Sequence, residues 1–261
     1  MSRRILIAVC LTLCLASTGL AQQTPLPDAP TSPEFLSRYD FQLSAAALAN
    51  DDTRYSWDVH FGGDIDVVDF VRGRVASYMD YQAMLGDELR PFDPNQGNYI
   101  LELSTSYRIQ RTEVAAIFHH VSRHLSDRAK VIPVAWNILG VRALRRMTLR
   151  DTTFDLVADV GGTTQHVNVD YRVSGNLDVV ARRPLTPRVG LFARGVGHVM
   201  GVTDEKGRPT QFGGLVEGGI RLIGEAAVGE LFMGYERRFD ADPLDFEAQR
   251  WFLVGFRALR R

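Results

Sequence analysis

A histidine, a serine and an asparagine at suggestive spacing form the constellation in this sequence best suited to catalysis. His120 and Ser122 lie in the segment FHHVSRH of residues 118–124, and Asn137 follows Trp136. Residues two apart on a β-strand share a face, so His120 can accept the proton of the Ser122 hydroxyl. If the next strand pairs across the intervening loop, Asn137 can hold the imidazole in one tautomer. These residues predict a site with Ser122 as nucleophile, His120 as base and Asn137 as the orienting group.

The elements that position these residues are predicted by an alternation of apolar and polar side chains. Between residues 57 and 67, apolar residues recur at every second position and acidic or histidine residues lie between them. About twelve such runs occur, near residues 39–48, 54–69, 74–86, 98–109, 112–123, 136–148, 152–162, 166–181, 187–200, 211–223, 225–238 and 249–259. Segments of roughly ten alternating residues separated by turns are typical of transmembrane β-barrels. We therefore expect an all-β, antiparallel transmembrane barrel of about twelve strands.

The connections between the runs agree with a barrel that crosses an outer membrane. Short turns fall at residues 71–73, 110–111, 150–151 and 224, whereas residues 87–97, 124–135, 202–210 and 240–248 form long polar connections. Outer-membrane barrels have short periplasmic turns and longer external loops. A soluble β-sandwich or lipocalin-like barrel also alternates, but its apolar face points inward to a core.

The first residues predict export. Residues 1–21 combine a positive start, an apolar stretch and a small-residue cleavage site, which is typical of a secretory signal peptide. Residues 22–38 are rich in proline and are interpreted as a periplasmic leader, which leaves residues 39–261 for the barrel. Both cysteines, Cys10 and Cys14, fall in the segment that would be removed, so the mature chain would carry no disulfide.

Charge and strand parity narrow the function further. With 30 basic and 31 acidic residues, the chain gives no electrostatic case for binding nucleic acid. In the fifth run, His120 and Ser122 share parity with the apolar Phe118, and in the sixth run Asn137 shares parity with Leu139. We therefore expect all three candidate residues on the lipid-facing wall, near the loop end, where polar side chains are costly unless they serve a purpose.

The His-x-Ser pair followed by Trp-Asn at the start of the next strand resembles the active site of outer-membrane phospholipase A. That resemblance implies a twelve-stranded barrel in the cell outer membrane that hydrolyses acyl esters of membrane lipids. It implies His120 as base, Ser122 as nucleophile and Asn137 as orienting residue, with calcium near the serine and a homodimer as the active form. This chain has Arg123-His124 where that family has Asn-Gly. The His-x-Ser-x-His-Leu segment of residues 120–125 also resembles segments of an uncharacterised outer-membrane barrel family.

Other functions stay open at this point. His120 and Ser122 could simply hydrogen-bond lipid headgroups in a non-catalytic structural barrel or a narrow solute channel. His119, His120 and His124 could suggest a metal site, but His119 points to the opposite face from the other two. Asp87, Glu88, Asp93 and Asp127 in the outer loops could bind calcium or bridge lipopolysaccharide through divalent ions, or could simply be solvated.

Overall fold

Twelve β-strands make up almost all of the computed structural model, which describes residues 30–125 and 132–260. The strands are β1 (Glu34–Ala49), β2 (Trp57–Asp69), β3 (Arg74–Gly86), β4 (Asp93–Ile109), β5 (Thr112–Leu125), β6 (Val134–Leu149), β7 (Thr152–Val167), β8 (Tyr171–Pro184), β9 (Val189–Val202), β10 (Gln211–Ile223), β11 (Ala227–Arg238) and β12 (Gln249–Arg260). Within the described ranges, no helix is long and apolar enough to cross a membrane. The predicted signal peptide, residues 22–29 of the predicted leader, and Asp127 lie outside the described residues.

The strands form a closed antiparallel barrel. Each strand pairs with the next along the chain, and β12 pairs with β1, for example Leu259 with Gln42. Closure leaves no free sheet edge, which a spanning sheet requires because lipid offers no hydrogen bonds to unpaired backbone groups. The predicted all-β barrel of about twelve strands is confirmed.

The first strand begins earlier than the alternation indicates. Glu34 pairs with Asp69 and Phe35 with Val68, so residues 34–38, assigned from the sequence to the leader, belong to β1. An irregularity between Phe35 and Arg38 shifts the register, and Leu36 there has a φ of 50°. A bulge interrupts the two-residue period, which is why the sequence pattern starts only at residue 39.

The side chains are distributed opposite to those of a soluble β-sandwich. Apolar residues are exposed all around the outer wall, among them Leu103, Val141, Val216 and Phe252, while charged residues such as Asp80, Glu102, Arg142 and Glu217 are buried in the lumen. An apolar exterior with a polar interior is the arrangement of transmembrane barrels. The structure therefore favours the membrane barrel over the soluble alternative.

Ion pairs occupy the lumen at several heights. Arg142 lies 2.5 Å from Glu102, Arg194 lies 2.7 Å from Asp178, and Arg257 lies 2.8 Å from Glu217. Buried charges are tolerated when they are paired and hydrogen-bonded in this way.

The connection between β11 and β12 closes the long-loop end of the lumen. Phe239, Asp240 and Ala241 are buried, and Arg123 donates hydrogen bonds to the main-chain oxygens of Asp240 and Ala241. Beneath this connection a cavity of about 100 Å³ remains, lined on one side by Trp136 and Phe239.

Candidate active site on the outer wall

Strands β5 and β6 bring His120, Ser122 and Asn137 together. His120 is the register partner of Asn137, and Ser122 is the partner of Ala135. The neighbouring Val121 and Ile138 are buried, and the three polar residues are partly exposed. Because successive side chains alternate between faces, His120, Ser122 and Asn137 lie on the outward side of the barrel.

The imidazole of His120 is held by Asn137. Its Nδ1 lies 2.6 Å from the side-chain oxygen of Asn137, and that oxygen can only accept a hydrogen bond. Nδ1 therefore carries the proton, and Nε2 keeps its lone pair available as a base. The side-chain nitrogen of Asn137 in turn donates to Oε1 of Gln165 at 2.9 Å, which fixes the orientation of the amide.

The hydroxyl of Ser122 is hydrogen-bonded to His124 rather than to His120. The distance from Ser122 Oγ to His124 Nε2 is 2.9 Å. Ser122 lies between two histidines on one strand face, two residues from each. In this structure the His120 ring is turned toward Asn137, and the serine faces His124.

Aromatic rings support His124 beside the serine. The His124 ring packs edge-on against Tyr99 with centroids 5.5 Å apart, and Tyr99 packs on Tyr81 at 5.1 Å. Tyr99 is also the register partner of Ser122 on β4. The wall around the serine is thus a strip of aromatic and imidazole rings that is suited to contact lipid at its polar boundary.

Sequence reasoning did not assign roles to His124 beside the serine or to Gln165. His124 has the same parity as Ser122, so the sequence predicts that the two side chains lie on one face. Which histidine accepts the hydrogen bond of Ser122 depends on side-chain rotamers, which the sequence does not give. Gln165 reaches Asn137 because the pairing of β6 with β7 shifts register between Asn137 and Ile138. No residue pattern in the sequence marks that irregularity.

A histidine metal cluster receives no support from the residues that the structure describes. His119 points into the lumen, where its Nδ1 lies 3.2 Å from Glu102, a carboxylate also bound by Arg142. Among the described residues, no group of three or more His, Cys, Asp or Glu side chains could hold a metal ion.

The described residues around Ser122 also do not fit calcium. Its register partners are Tyr99 and Ala135, and its side-chain partner is an imidazole. Calcium takes six to eight oxygen ligands, largely carboxylates and carbonyls, so this donor set is of the wrong kind. In the outer loop, Glu88 accepts a hydrogen bond from Asn95, and Asp93 lies 3.4 Å from Arg90.

Comparison with known proteins identifies the fold. No family model and no curated protein sequence matches the chain. The structural alignment with outer membrane phospholipase A from Escherichia coli covers 87% of this chain and 98% of the phospholipase chain, with a TM-score of 0.51 and 10% sequence identity. The alignment with the calcium-bound dimer of the Salmonella typhi outer membrane phospholipase covers 90% of this chain and 94% of the phospholipase chain, also with a TM-score of 0.51 and 10% sequence identity. The alignment with OmpT of Vibrio cholerae covers 85% of this chain and 96% of the OmpT chain, with a TM-score of 0.46 and 11% sequence identity.

The fold of the chain is therefore that of outer-membrane β-barrels. The exposed apolar wall and the buried lumen charges agree with a place in the cell outer membrane.

Proposed function

We propose that this outer-membrane barrel hydrolyses acyl esters of membrane lipids, with Ser122 as nucleophile, His120 as base and Asn137 as orienting residue. The observation that carries the proposal is the 2.6 Å contact between His120 Nδ1 and Asn137 Oδ1 on the outward wall, directly beside Ser122. This contact leaves the lone pair of His120 Nε2 available on the face that carries the serine. The presence of outer membrane phospholipases among the structures of similar fold supports the same reaction class.

The reaction begins when Ser122 Oγ attacks the carbonyl carbon of a lipid ester. His120 Nε2 takes the hydroxyl proton as the new C–O bond forms, and it then gives that proton to the leaving alcohol oxygen. Water activated by the same imidazole hydrolyses the acyl-serine and releases a fatty acid. Asn137 keeps Nδ1 protonated and the ring in place throughout.

His124 holds the serine in its resting position. In the absence of substrate, catalytic hydrogen bonds are often not yet formed, so the present contact between Ser122 and His124 is compatible with His120 as base. A rotation of the Ser122 side chain transfers its hydroxyl from His124 to His120.

The height of the serine in the barrel suits an ester substrate. Ser122 lies three residues before the end of β5 at Leu125, on the side of the long connections. Its register partner, the exposed Tyr99, packs on the exposed Tyr81, and such aromatic residues are enriched at the membrane–water interface, where the ester groups of a phospholipid lie.

Fatty acid release from phospholipid in mixed micelles tests the proposal. We expect the wild-type protein to release fatty acid and Ser122→Ala to fall to background. Thr105→Ala is the matched control, because Thr105 is an exposed, outward hydroxyl of β4 at a distant register position. Equal release by wild type and Ser122→Ala would refute the enzyme and leave a non-catalytic structural barrel or a narrow solute channel. Parallel assays with calcium and with a chelator measure any metal requirement.

The active assembly is a second part of the proposal. The resemblance in the motif implies a homodimer, and the Salmonella typhi phospholipase of similar fold was solved as a dimer. We propose that this chain also acts as a homodimer with outer-membrane lipids as its partners. Analytical ultracentrifugation in density-matched detergent tests this: a species that stays monomeric while hydrolysing substrate would contradict it.

A further inference from the structure

Several arginines in the lumen form ion pairs with two carboxylates each. Each of five lumen arginines contacts two different carboxylates at 3.8 Å or less: Arg74, Arg142, Arg194, Arg238 and Arg257. A guanidinium presents five donors in a planar fork, so two carboxylates can satisfy it and neutralise its neighbourhood.

Two arginines at the short-turn ends of β8 and β10, Arg182 and Arg221, contact one carboxylate each. Arg182 contacts Asp155, and the same carboxylate also binds Arg146. Arg221 contacts Glu230, and Glu230 is also bound by Arg257. Among the described residues, the buried Nε of Arg182 has no hydrogen-bond partner.

These arginines surround an open cavity. It has a volume of about 250 Å³ and is lined by Arg146, Arg182, Arg183 and Arg221, together with Thr153 and Ile223. Its walls flank the turns at residues 150–151, 185–188 and 224–226, so the cavity opens at the end assigned to the periplasm.

The arginines that line the cavity make it suited to bind an anion. Four arginines line the cavity, and no carboxylate is among the described residues that line it. Asp155 and Glu230, which contact Arg182 and Arg221, each bind a second arginine as well, so positive charge exceeds negative charge at this wall. A phosphate group carries up to about two negative charges and three acceptor oxygens, and guanidinium forks bind such groups in a bidentate manner.

We propose that this short-turn cavity is a binding site for a phosphate group presented from the periplasmic side. The phosphate oxygens occupy the positions that second carboxylates occupy around the other lumen arginines, and Arg182 Nε is one of their donors. The phosphate belongs either to a soluble molecule or to the headgroup of a lipid at the barrel rim. This site lies at the opposite end of the barrel from Ser122, so its test is independent of hydrolysis.

Inorganic phosphate is the first probe. We expect broadening of its ³¹P resonance by the folded barrel in neutral detergent, with an affinity that falls as salt is added. The double variant Arg182→Gln/Arg221→Gln should weaken binding about tenfold or more, because it removes charge-assisted hydrogen bonds. Arg111→Gln, at an exposed turn on the same end outside the cavity, should bind as the wild type does.

A second variant keeps the test decisive if the double variant folds poorly. Asp155→Asn removes the carboxylate that competes with phosphate for Arg146 and Arg182, so it should tighten phosphate binding. Unchanged binding in Asp155→Asn, equal binding by wild type and the folded double variant, or no binding by the wild type would each overturn the proposal.

Lipid retention distinguishes the two sources of the phosphate. Native mass spectrometry compares phosphatidylglycerol with diacylglycerol, which lacks the phosphate, on the wild type and on the double variant. Arginine-dependent retention of phosphatidylglycerol assigns the site to a lipid headgroup. Binding of inorganic phosphate without such retention assigns it to a soluble phosphate.

Discussion

At the scale of single residues, the outer wall carries two imidazoles with different surroundings. His120 is tied to Asn137, which is itself tied to Gln165, whereas His124 is tied to Ser122 and rests on Tyr99. A base must have a defined tautomer with a free lone pair, and the hydrogen bond from Nδ1 to Asn137 gives His120 that property.

Alanine substitution of each histidine separates their roles. We expect His120→Ala to lower kcat for ester hydrolysis about 10³-fold or more, because it removes the proposed base. His124→Ala should retain activity within about threefold, since it removes only the resting partner of Ser122. Both rates are measured by fatty acid release, after confirming by heat modifiability on gels that each variant is folded. An inactive His124→Ala with an active His120→Ala would make His124 the base.

The sequence predicted the faces of these residues but not their contacts. A strand has a strict two-residue period, so parity alone indicates that His120, Ser122 and Asn137 point outward. The partner of Ser122 depends on one rotation about a single bond, and Gln165 depends on a register shift beside Asn137. Neither the side-chain rotation nor the register shift can be predicted from the order of residue types.

At the scale of elements, the first half of the connection between β11 and β12, residues 239–243, is a buried plug, and most of residues 244–248 are exposed. Asp240 accepts hydrogen bonds from Tyr171 at 2.7 Å and from Arg208 at 2.7 Å, and Arg208 also binds Asp170 at 2.7 Å. Polar loop residues such as those of 240–248 normally indicate solvent exposure. The sequence could not predict this plug, because its arginine partners, Arg123 in β5 and Arg208 before β10, are distant in the sequence.

Acid should loosen the plug. Burial of Asp170 opposes its ionisation, but the hydrogen bonds and charge of Arg208 outweigh that effect and hold the pKa of Asp170 below its ordinary value. A carboxyl whose pKa is lowered by folding contributes stability above its unfolded pKa, and that stability is lost as pH falls through the folded value. Hydrogen exchange of residues 239–248, corrected for intrinsic rates, should stay constant from pH 7 to about pH 5 and rise below about pH 4.

A variant checks the cause of that acid effect. Arg208→Gln leaves the buried Asp170 and Asp240 without their cation, so exchange of residues 239–248 should already be fast at pH 7. If residues 239–248 exchange as slowly in Arg208→Gln as in the wild type, the ion pairs of Arg208 with Asp170 and Asp240 do not hold the plug in place.

At the scale of the whole molecule, the lumen is filled by ion pairs together with clusters of buried apolar side chains, among them Phe192, Phe232 and Trp251. The alternation and the connection lengths were sufficient to predict twelve strands and their closure, since a barrel repeats the same two-residue period in every strand. They also indicated that the charged faces line the lumen. Which acid meets which base depends on the shear between strands, and sequence alone does not give this.

The pair of Glu102 and Arg142 tests the contribution of this network to stability. Glu102→Gln should destabilise the barrel by about 3–5 kcal/mol, because it leaves the buried Arg142 poorly compensated. The double variant Glu102→Leu/Arg142→Leu should cost less than the sum of the single leucine variants. Urea unfolding in lipid vesicles, followed by tryptophan fluorescence, measures both. Strict additivity would show that the two side chains are not energetically coupled.

The central claim, that Ser122 is an activated nucleophile facing lipid, is tested most directly by covalent labelling. A long-chain alkyl fluorophosphonate accepts attack by an activated serine, with loss of fluoride and formation of a stable serine adduct. We predict one adduct per chain on Ser122 by intact mass and peptide mapping, with none on Ser122→Ala, little on His120→Ala and full labelling of Thr105→Ala. A wild-type protein that stays unlabelled, or that labels as fully in Ser122→Ala, would contradict the account.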